Sequence, residues 1–239
     1  LKQHLSSLVP KDIRLNYSWG INDNANPPQG TALLKAKKDF DKGRTVLNYF
    51  NTIISKLPKV TSIVLTHIIN TVWPQAMGTD TMPQMFQRLH EFLQNMPNHN
   101  DQQPQSCYDI LNDDLVGFFN ALPQSAIHRD VKLLLDLYAA SVCTPVQDIN
   151  ITVNIDHLAT AACQVFHGTT DNTKHDQMRT IQLKDIPSII QTSFDTGIVT
   201  VLDMCLAQIR GSTIGNQISP VLCSIPIIVT ELRWKQAFK

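Results

Sequence analysis

Apolar positions along the chain follow two different periods. Between residues 51 and 96 they recur at helical spacing: Ile53, Ile54 and Leu57, then Ile63, Val64, Ile68, Ile69 and Val72. Met82, Met85, Phe86, Leu89, Phe92 and Leu93 form a second stripe. Both predict helices whose apolar side faces a core rather than a cofactor. A third helix is predicted over residues 124–142, with Ile127, Val131, Leu134, Leu135, Tyr138 and Val142 on one side and Pro123 suited to its first turn. Residues 149–155 alternate strictly and predict a half-buried strand. Residues 156–166 return to a helical pattern, and the polar residues 168–179 predict a loop or insertion. Asp185 and Pro187 mark the start of another helix, running to about Phe194.

The remaining stretches are punctuated by Gly, Pro, Asn and Asp. Residues 1–30 read as an irregular lead-in, with Trp19 available to dock it on the body. Residues 31–50 give two short apolar runs around Asp39, Asp41 and Gly43, a hairpin pattern. Lys35, Lys37, Lys38, Lys42 and Arg44 crowd its tip and arms. Such cations can neutralise a triphosphate, or they can simply solvate the hairpin and discourage edge pairing. After a loop over 97–104, residues 108–123 climb through an apolar run to Asp113 and Asp114, turn at Gly117-Phe118-Phe119, and continue as a helix-like segment. A carboxylate at a strand end suits Mg²⁺, which prefers hard oxygen ligands shared with phosphates; Asp114 is that carboxylate. As ordinary chemistry, Asp113 and Asp114 can equally serve the turn itself. Near the C-terminal end, a short strand leads into Gly211-Ser212-Thr213-Ile214-Gly215, then Asn216, Ser219 and Pro220, then a helix with Val221, Leu222, Ile225 and Ile228 on its apolar face. Two glycines four apart let backbone approach a flat partner or a phosphate.

Composition narrows the class. The chain has 239 residues, 43% hydrophobic and 17% charged, enough to build a core and not a disordered composition. No run approaches the roughly 18 apolar residues of a membrane span, so no membrane partner is expected. Lys plus Arg and Asp plus Glu both number 20, which argues against a simple electrostatic nucleic-acid binder, although positive charge can concentrate in one cleft. Cys107, Cys143, Cys163, Cys205 and Cys223 are odd in number and form no Cys-x-x-Cys pair. They read as reduced, mostly buried thiols in an intracellular setting. The first residue is Leu1, with no signal-peptide pattern, so the chain is expected to be a piece of something longer.

Three stretches now stand in one order: basic hairpin, Asp-x-x-x-Phe-Phe strand end, and Gly-x-x-x-Gly-x-x-x-Ser-Pro loop. Together they resemble the fingers and palm of reverse transcriptases, on the group II intron, telomerase, Penelope and non-LTR side of that family. The resemblance implies an α/β (α+β) fold, helix-rich with a small antiparallel sheet, in a right-hand arrangement of fingers and partial palm. Residues 1–30 would be a lead-in, 31–106 fingers-like and 107–239 palm-like. It implies that Asp114 is the metal-binding aspartate, that Lys37 and Arg44, seven residues apart, grip the triphosphate, and that Phe119 closes off the sugar 2′ position. A bulky aromatic there selects deoxynucleotides, since the 2′-OH separates the two substrates. Gly215 would lie against the nucleotide, and Gly211, Asn216 and Ser219 against template and primer. Ile214 stands where many relatives have Gln or Met, which removes a polar contact. The implied cofactor is Mg²⁺ or Mn²⁺. The implied partners are an RNA template with a DNA primer, and dNTP.

One departure matters. The family's Tyr-x-Asp-Asp motif does not occur between Pro220 and Lys239. Two-metal chemistry needs carboxylates on both sides of the metals, and Asp114 alone leaves that set incomplete. The alternative is a polymerase-like module that binds nucleic acid or protein without catalysis. Asp195-Thr196-Gly197 matches the aspartic-protease tripeptide, but it has no second copy and follows a helical run. His157, Cys163, His167 and His175 fit no closed zinc spacing. An incomplete palm is expected to leave an apolar sheet edge and a poorly soluble fragment.

Overall fold

A computed structural model describes residues 1–34, 43–49, 51–74, 82–94, 118–155, 165–167, 177–201, 204–212 and 215–237. Four helices make the frame: α3 (Lys56–Val72), α6 (Gln124–Ser141), α7 (Ile186–Asp195) and α8 (Ser219–Ala237). Each turns an apolar face to the others, as the periodicity predicts. Leu57, Val64, Leu65, Ile68 and Ile69 of α3 meet Ile127, Val131, Leu134 and Tyr138 of α6 in one core, all buried. Ile189 and Ile190 of α7 and Leu222, Ile225 and Ile228 of α8 complete it. Burying one such side chain contributes roughly 1.5–3 kcal/mol, which is what fixes the helix faces.

Two small sheets flank this core, so the chain is α+β and helix-rich. The first has the order β2-β1-β6-β7. Its β1 (Gln29–Leu34) and β2 (Gly43–Asn48) are the two arms of the expected hairpin, paired antiparallel from Gln29 opposite Asn48 to Leu34 opposite Gly43. A second hairpin, β6 (Ile198–Val201) with β7 (Met204–Ala207), joins it through a parallel contact of Gln29 with Thr200. The parallel junction departs from the expected all-antiparallel sheet. Met204, Cys205 and Leu206 are exposed on β7, the outer strand among the described residues. The second sheet, β4-β3-β5, sets β3 (Asn150–Asn154) between β4 (Val165–His167) and β5 (Met178–Gln182).

Several local expectations are corrected. Residues 1–20 are not irregular, although 21–28 hold no helix or strand: α1 (Lys2–Ser7) and α2 (Lys11–Asn16) bury Leu5 and Ile13, and Val9 and Tyr17 beside them are buried too. The strand β3 is not half-buried, because it is central and Thr152 is sequestered with its hydroxyl 2.8 Å from that of Thr180. The polar stretch to residue 179 ends as strand, with Met178 and Arg179 in β5; of the helix expected over 156–166, residues 165 and 166 are strand and 156–164 lie outside the described residues. In α4 (Met82–Gln94), Phe86 is 63% and Leu89 49% exposed, so these two positions of the second stripe do not face a core among the described residues. Of the described cysteines, Cys143 and Cys205 are exposed and only Cys223 is buried, its thiol pushed up to about 11 by burial.

Asp185 precedes α7 as expected, with Pro187 in the first turn, but its carboxylate makes no cap bond. It accepts instead from the Tyr17 hydroxyl at 2.8 Å and from Asn16 Nδ2 at 3.3 Å. The Gln182 N–H donates to the same Tyr17 oxygen at 3.1 Å. This anchor ties the N-terminal helices to the body. Burial raises the Tyr17 hydroxyl well above the ordinary phenol range; the Gln182 bond opposes this and Asp185 adds to it. A raised folded-state value means the stabilisation is complete below about pH 10 and is lost as pH climbs through the folded value. Replacing Tyr17→Phe is expected to lower the unfolding free energy by about 1–3 kcal/mol at neutral pH and to flatten the alkaline loss of stability. Urea melts at pH 7 and pH 10.5 check both, and equal stability of the two proteins at neutral pH contradicts the anchor.

Candidate functional site

The loop over 211–219 connects β7 to α8, and each end of it is fixed to a different part of the chain. At the first end Gly211 takes a left-handed φ of 70°. Its N–H donates to the Leu122 carbonyl at 2.8 Å, and Gln124 Nε2 donates to its carbonyl at 3.4 Å. Leu122 directly follows α5 (Phe118–Ala121), the helical turn that carries Phe118 and Phe119. At the other end Gly215 has φ 108° and lies on the backbone of β2. A Cβ built on it would collide with the Leu47 carbonyl oxygen. Only glycine meets both demands, the positive φ and the close approach.

Side chains lock the loop from within. The hydroxyls of Ser212 and Ser219 lie 2.6 Å apart, both residues buried. Asn216 is also buried; its Nδ2 donates to Ser193 Oγ of α7 at 2.8 Å, and its Oδ1 accepts from the Ile218 N–H at 3.3 Å. The Ser219 N–H donates to the Asn216 carbonyl at 3.1 Å, so α8 starts from a prepared turn. Asn216 and Ser219 therefore spend their side chains on the loop's shape.

The expected site residues divide as follows. Asp114 and Lys37 lie outside the described residues. Arg44 sits on β2 opposite Leu33, three positions before the Leu47 that meets Gly215. Phe119 is in α5. Gly211, Gly215, Asn216 and Ser219 form the loop just described. The loop thus brings the hairpin arm and the end of the Phe118–Ala121 turn to one element. Among the described residues no group of three His, Cys, Asp or Glu side chains could hold a metal. No described helix is long and apolar enough to cross a membrane.

Beside Gly215 opens a cleft of about 710 Å³. One wall is the end of β2 and the turn after it, with Asn48, Tyr49 and Asn51. A second is the first turn of α3, with Lys56 and Lys59; a third is Trp19 with Arg179 of β5. The guanidinium carbon of Arg179 stands 5.4 Å from the centre of the Trp19 ring, a cation–π contact. Trp19 meets Tyr17 edge-on, centroids 6.4 Å apart, so the Tyr17–Asp185 anchor also sets this wall. The described lining holds three cations and no carboxylate. Sequence reasoning passed over Trp19's partner and both lysines. Arg179 stood in a stretch read as loop. Lys56 and Lys59 carried a legible signal: cations in a first helical turn oppose the helix dipole, and that turn has no acidic residue to offset them.

Compared with protein-family models and with curated proteins, the chain matches none.

Replacing Gly215→Ala is expected to cost about 1–3 kcal/mol, because the added methyl must displace the β2 backbone and sit at an unfavourable φ. Chemical denaturation measures this; a loss under a few tenths of a kcal/mol contradicts the seat of the loop on β2.

Proposed function

We propose that the chain forms the fingers and part of the palm of an RNA-directed DNA polymerase. The reaction is nucleotidyl transfer from a dNTP to a primer 3′-hydroxyl on an RNA template. What supports the reading is one arrangement: loop 211–219 touches the β2 arm through Gly215 and the residue after α5 through Gly211. Three stretches that carry the resemblance are thereby tied by contacts that the resemblance did not supply.

In this reading the 3′-oxygen attacks the α-phosphorus, the bond to the pyrophosphate oxygen breaks, and the hydroxyl proton leaves to solvent. Lys37 and Arg44 hold the triphosphate and offset the charge that grows on the leaving group. Phe119 fills the space a 2′-hydroxyl would need. Loop 211–219 seats the templating base by its backbone shape, because Asn216 and Ser219 are committed to bonds within the fold. Mg²⁺ or Mn²⁺ at Asp114, when bound, supplies charge stabilisation and activates the attacking hydroxyl. Residues 220–239 hold no aspartate pair to complete such a site. A second reading, a module that binds nucleic acid without catalysis, draws on the cationic cleft, which needs no metal.

Binding of dATP to the chain on an RNA–DNA primer–template, with and without Mg²⁺, separates the two. The polymerase reading expects Mg²⁺-dependent binding that weakens about tenfold or more in Arg44→Ala, since hydrogen bonds to charged groups are worth about 1.5–3 kcal/mol. It expects Asp114→Asn to remove the Mg²⁺ dependence with fold intact, and Phe119→Ala to admit ATP nearly as well as dATP. Primer–template binding without any Mg²⁺-dependent dNTP binding would favour the second reading.

A further inference from the structure

We propose that β7 is the seam of a homodimer: its open edge pairs antiparallel with the β7 of a second copy of this chain. The proposal rests on that strand alone and stands whether or not the chain catalyses.

The chemistry of the edge is the first argument. Strand β7 ends its sheet, and among the described residues it pairs only with β6. The outer edge of such a strand offers backbone N–H and C=O groups to a further strand. Edges that stay single are commonly blunted by a lysine, a proline or a bulge. Met204-Cys205-Leu206-Ala207 carries no charge and no proline. All four residues are exposed, Met204 by 57% and Leu206 by 47%, and Ile209 just beyond them is 84% exposed. The other outer strand of the sheet is treated differently: β2 carries Arg44 in its sequence, and Gly215 lies on its backbone at Leu47.

Self-complementarity is the second argument, and it selects a second copy over an unlike partner. A two-fold axis normal to the sheet reverses the strand direction and keeps its faces, so one surface can serve both sides. With Leu206 opposite its own copy, Met204 lies diagonal to the Leu206 of the second copy, and Cys205 lies opposite the second copy's Ala207. Apolar side chains thereby meet apolar side chains across the seam. The strand is also polarised in charge. Asp203 precedes it in the sequence, and Arg210, exposed and in no described salt bridge, follows it. Antiparallel pairing sets the acidic end of each strand against the basic end of the other, whereas parallel pairing sets like against like. Two four-stranded sheets then run on as one.

The size of the seam sets its strength. Met204 to Ala207 with Ile209 give five exposed residues a side, well short of the roughly 20–30 a side of a standard interface. The pair is therefore weak, with a Kd on the order of 10–100 µM.

The test is sedimentation equilibrium over about 5–500 µM, a range that brackets this Kd. The expected result is a mass that rises from one copy to two and stops there. Leu206→Lys, a charge on the edge, is expected to raise the Kd about tenfold or more. Met204→Lys makes the same test if Leu206→Lys does not fold, as circular dichroism reports. Phe86→Lys replaces another exposed apolar side chain, on α4, and is expected to change the Kd less than about twofold. In the register given, the two Cys205 side chains stand about 7–8 Å apart, within reach of a short bis-maleimide. Cys205→Ser is expected to abolish the crosslinked dimer, while Cys143→Ser, at the other exposed thiol among the described residues, keeps it. Asp114→Asn leaves the association unchanged, so a failed polymerase reading does not carry the dimer down with it. A mass that stays at one copy throughout, or climbs past two, overturns the proposal. So does a dimer that survives a folded Leu206→Lys variant, or a crosslink that depends on Cys143 and not on Cys205.

Discussion

Gly215 lies so near the carbonyl of Leu47 on β2 that a side chain there would collide with it, backbone against backbone. The glycine-rich loop is held there by a positive φ, by the Ser212–Ser219 hydroxyl pair, and by Asn216 reaching Ser193. The same loop holds Leu122 at its other end. Hairpin, glycine loop and the Phe118–Ala121 turn are consequently one mechanical unit.

A second constraint sets the outer wall. Tyr17 is buried and spans from the N-terminal helices to Asp185 and Gln182, next to the start of α7. Its neighbour Trp19 lies under Arg179, which β5 delivers from the three-stranded sheet. The N-terminal helices and that sheet are far apart in sequence, yet they meet at one side of the cleft. Residues of β2 and α3 line the same cleft. Charge that is balanced over the whole chain is therefore unbalanced at this one place.

Helix positions were legible because each depends on a period. The faces of α3, α6, α7 and α8 follow from Leu57, Val64, Ile127, Leu134, Ile190 and Leu222, and burial fixes them as the pattern predicts. The β1–β2 hairpin was legible from its turn chemistry around Gly43. Residues 1–30 were misread because Pro10, Gly20 and Pro27 look like loop, while the short helices between them are stabilised by Leu5, Ile13 and Tyr17 docking on the body. Burial of Thr152 was illegible because a threonine inside a sheet needs a partner, and Thr180 lies 28 positions away. Of the site, the glycines and the basic arms could be picked out by type. Their mutual contacts could not, since Gly215 on Leu47 and Arg179 on Trp19 are facts of tertiary packing. Lys56 and Lys59 could have been singled out from the helix-dipole argument alone.

Hydrogen exchange on the chain, with and without Mg²⁺, dATP and an RNA–DNA primer–template, tests the central claim most directly. The account predicts that adding the nucleotide slows exchange together in three stretches: residues 31–48, 109–122 and 208–219. Protection confined to the cleft around Lys56 and Arg179, with no change in the other three on adding nucleotide, would contradict a shared nucleotide site and favour a module that binds nucleic acid without catalysis.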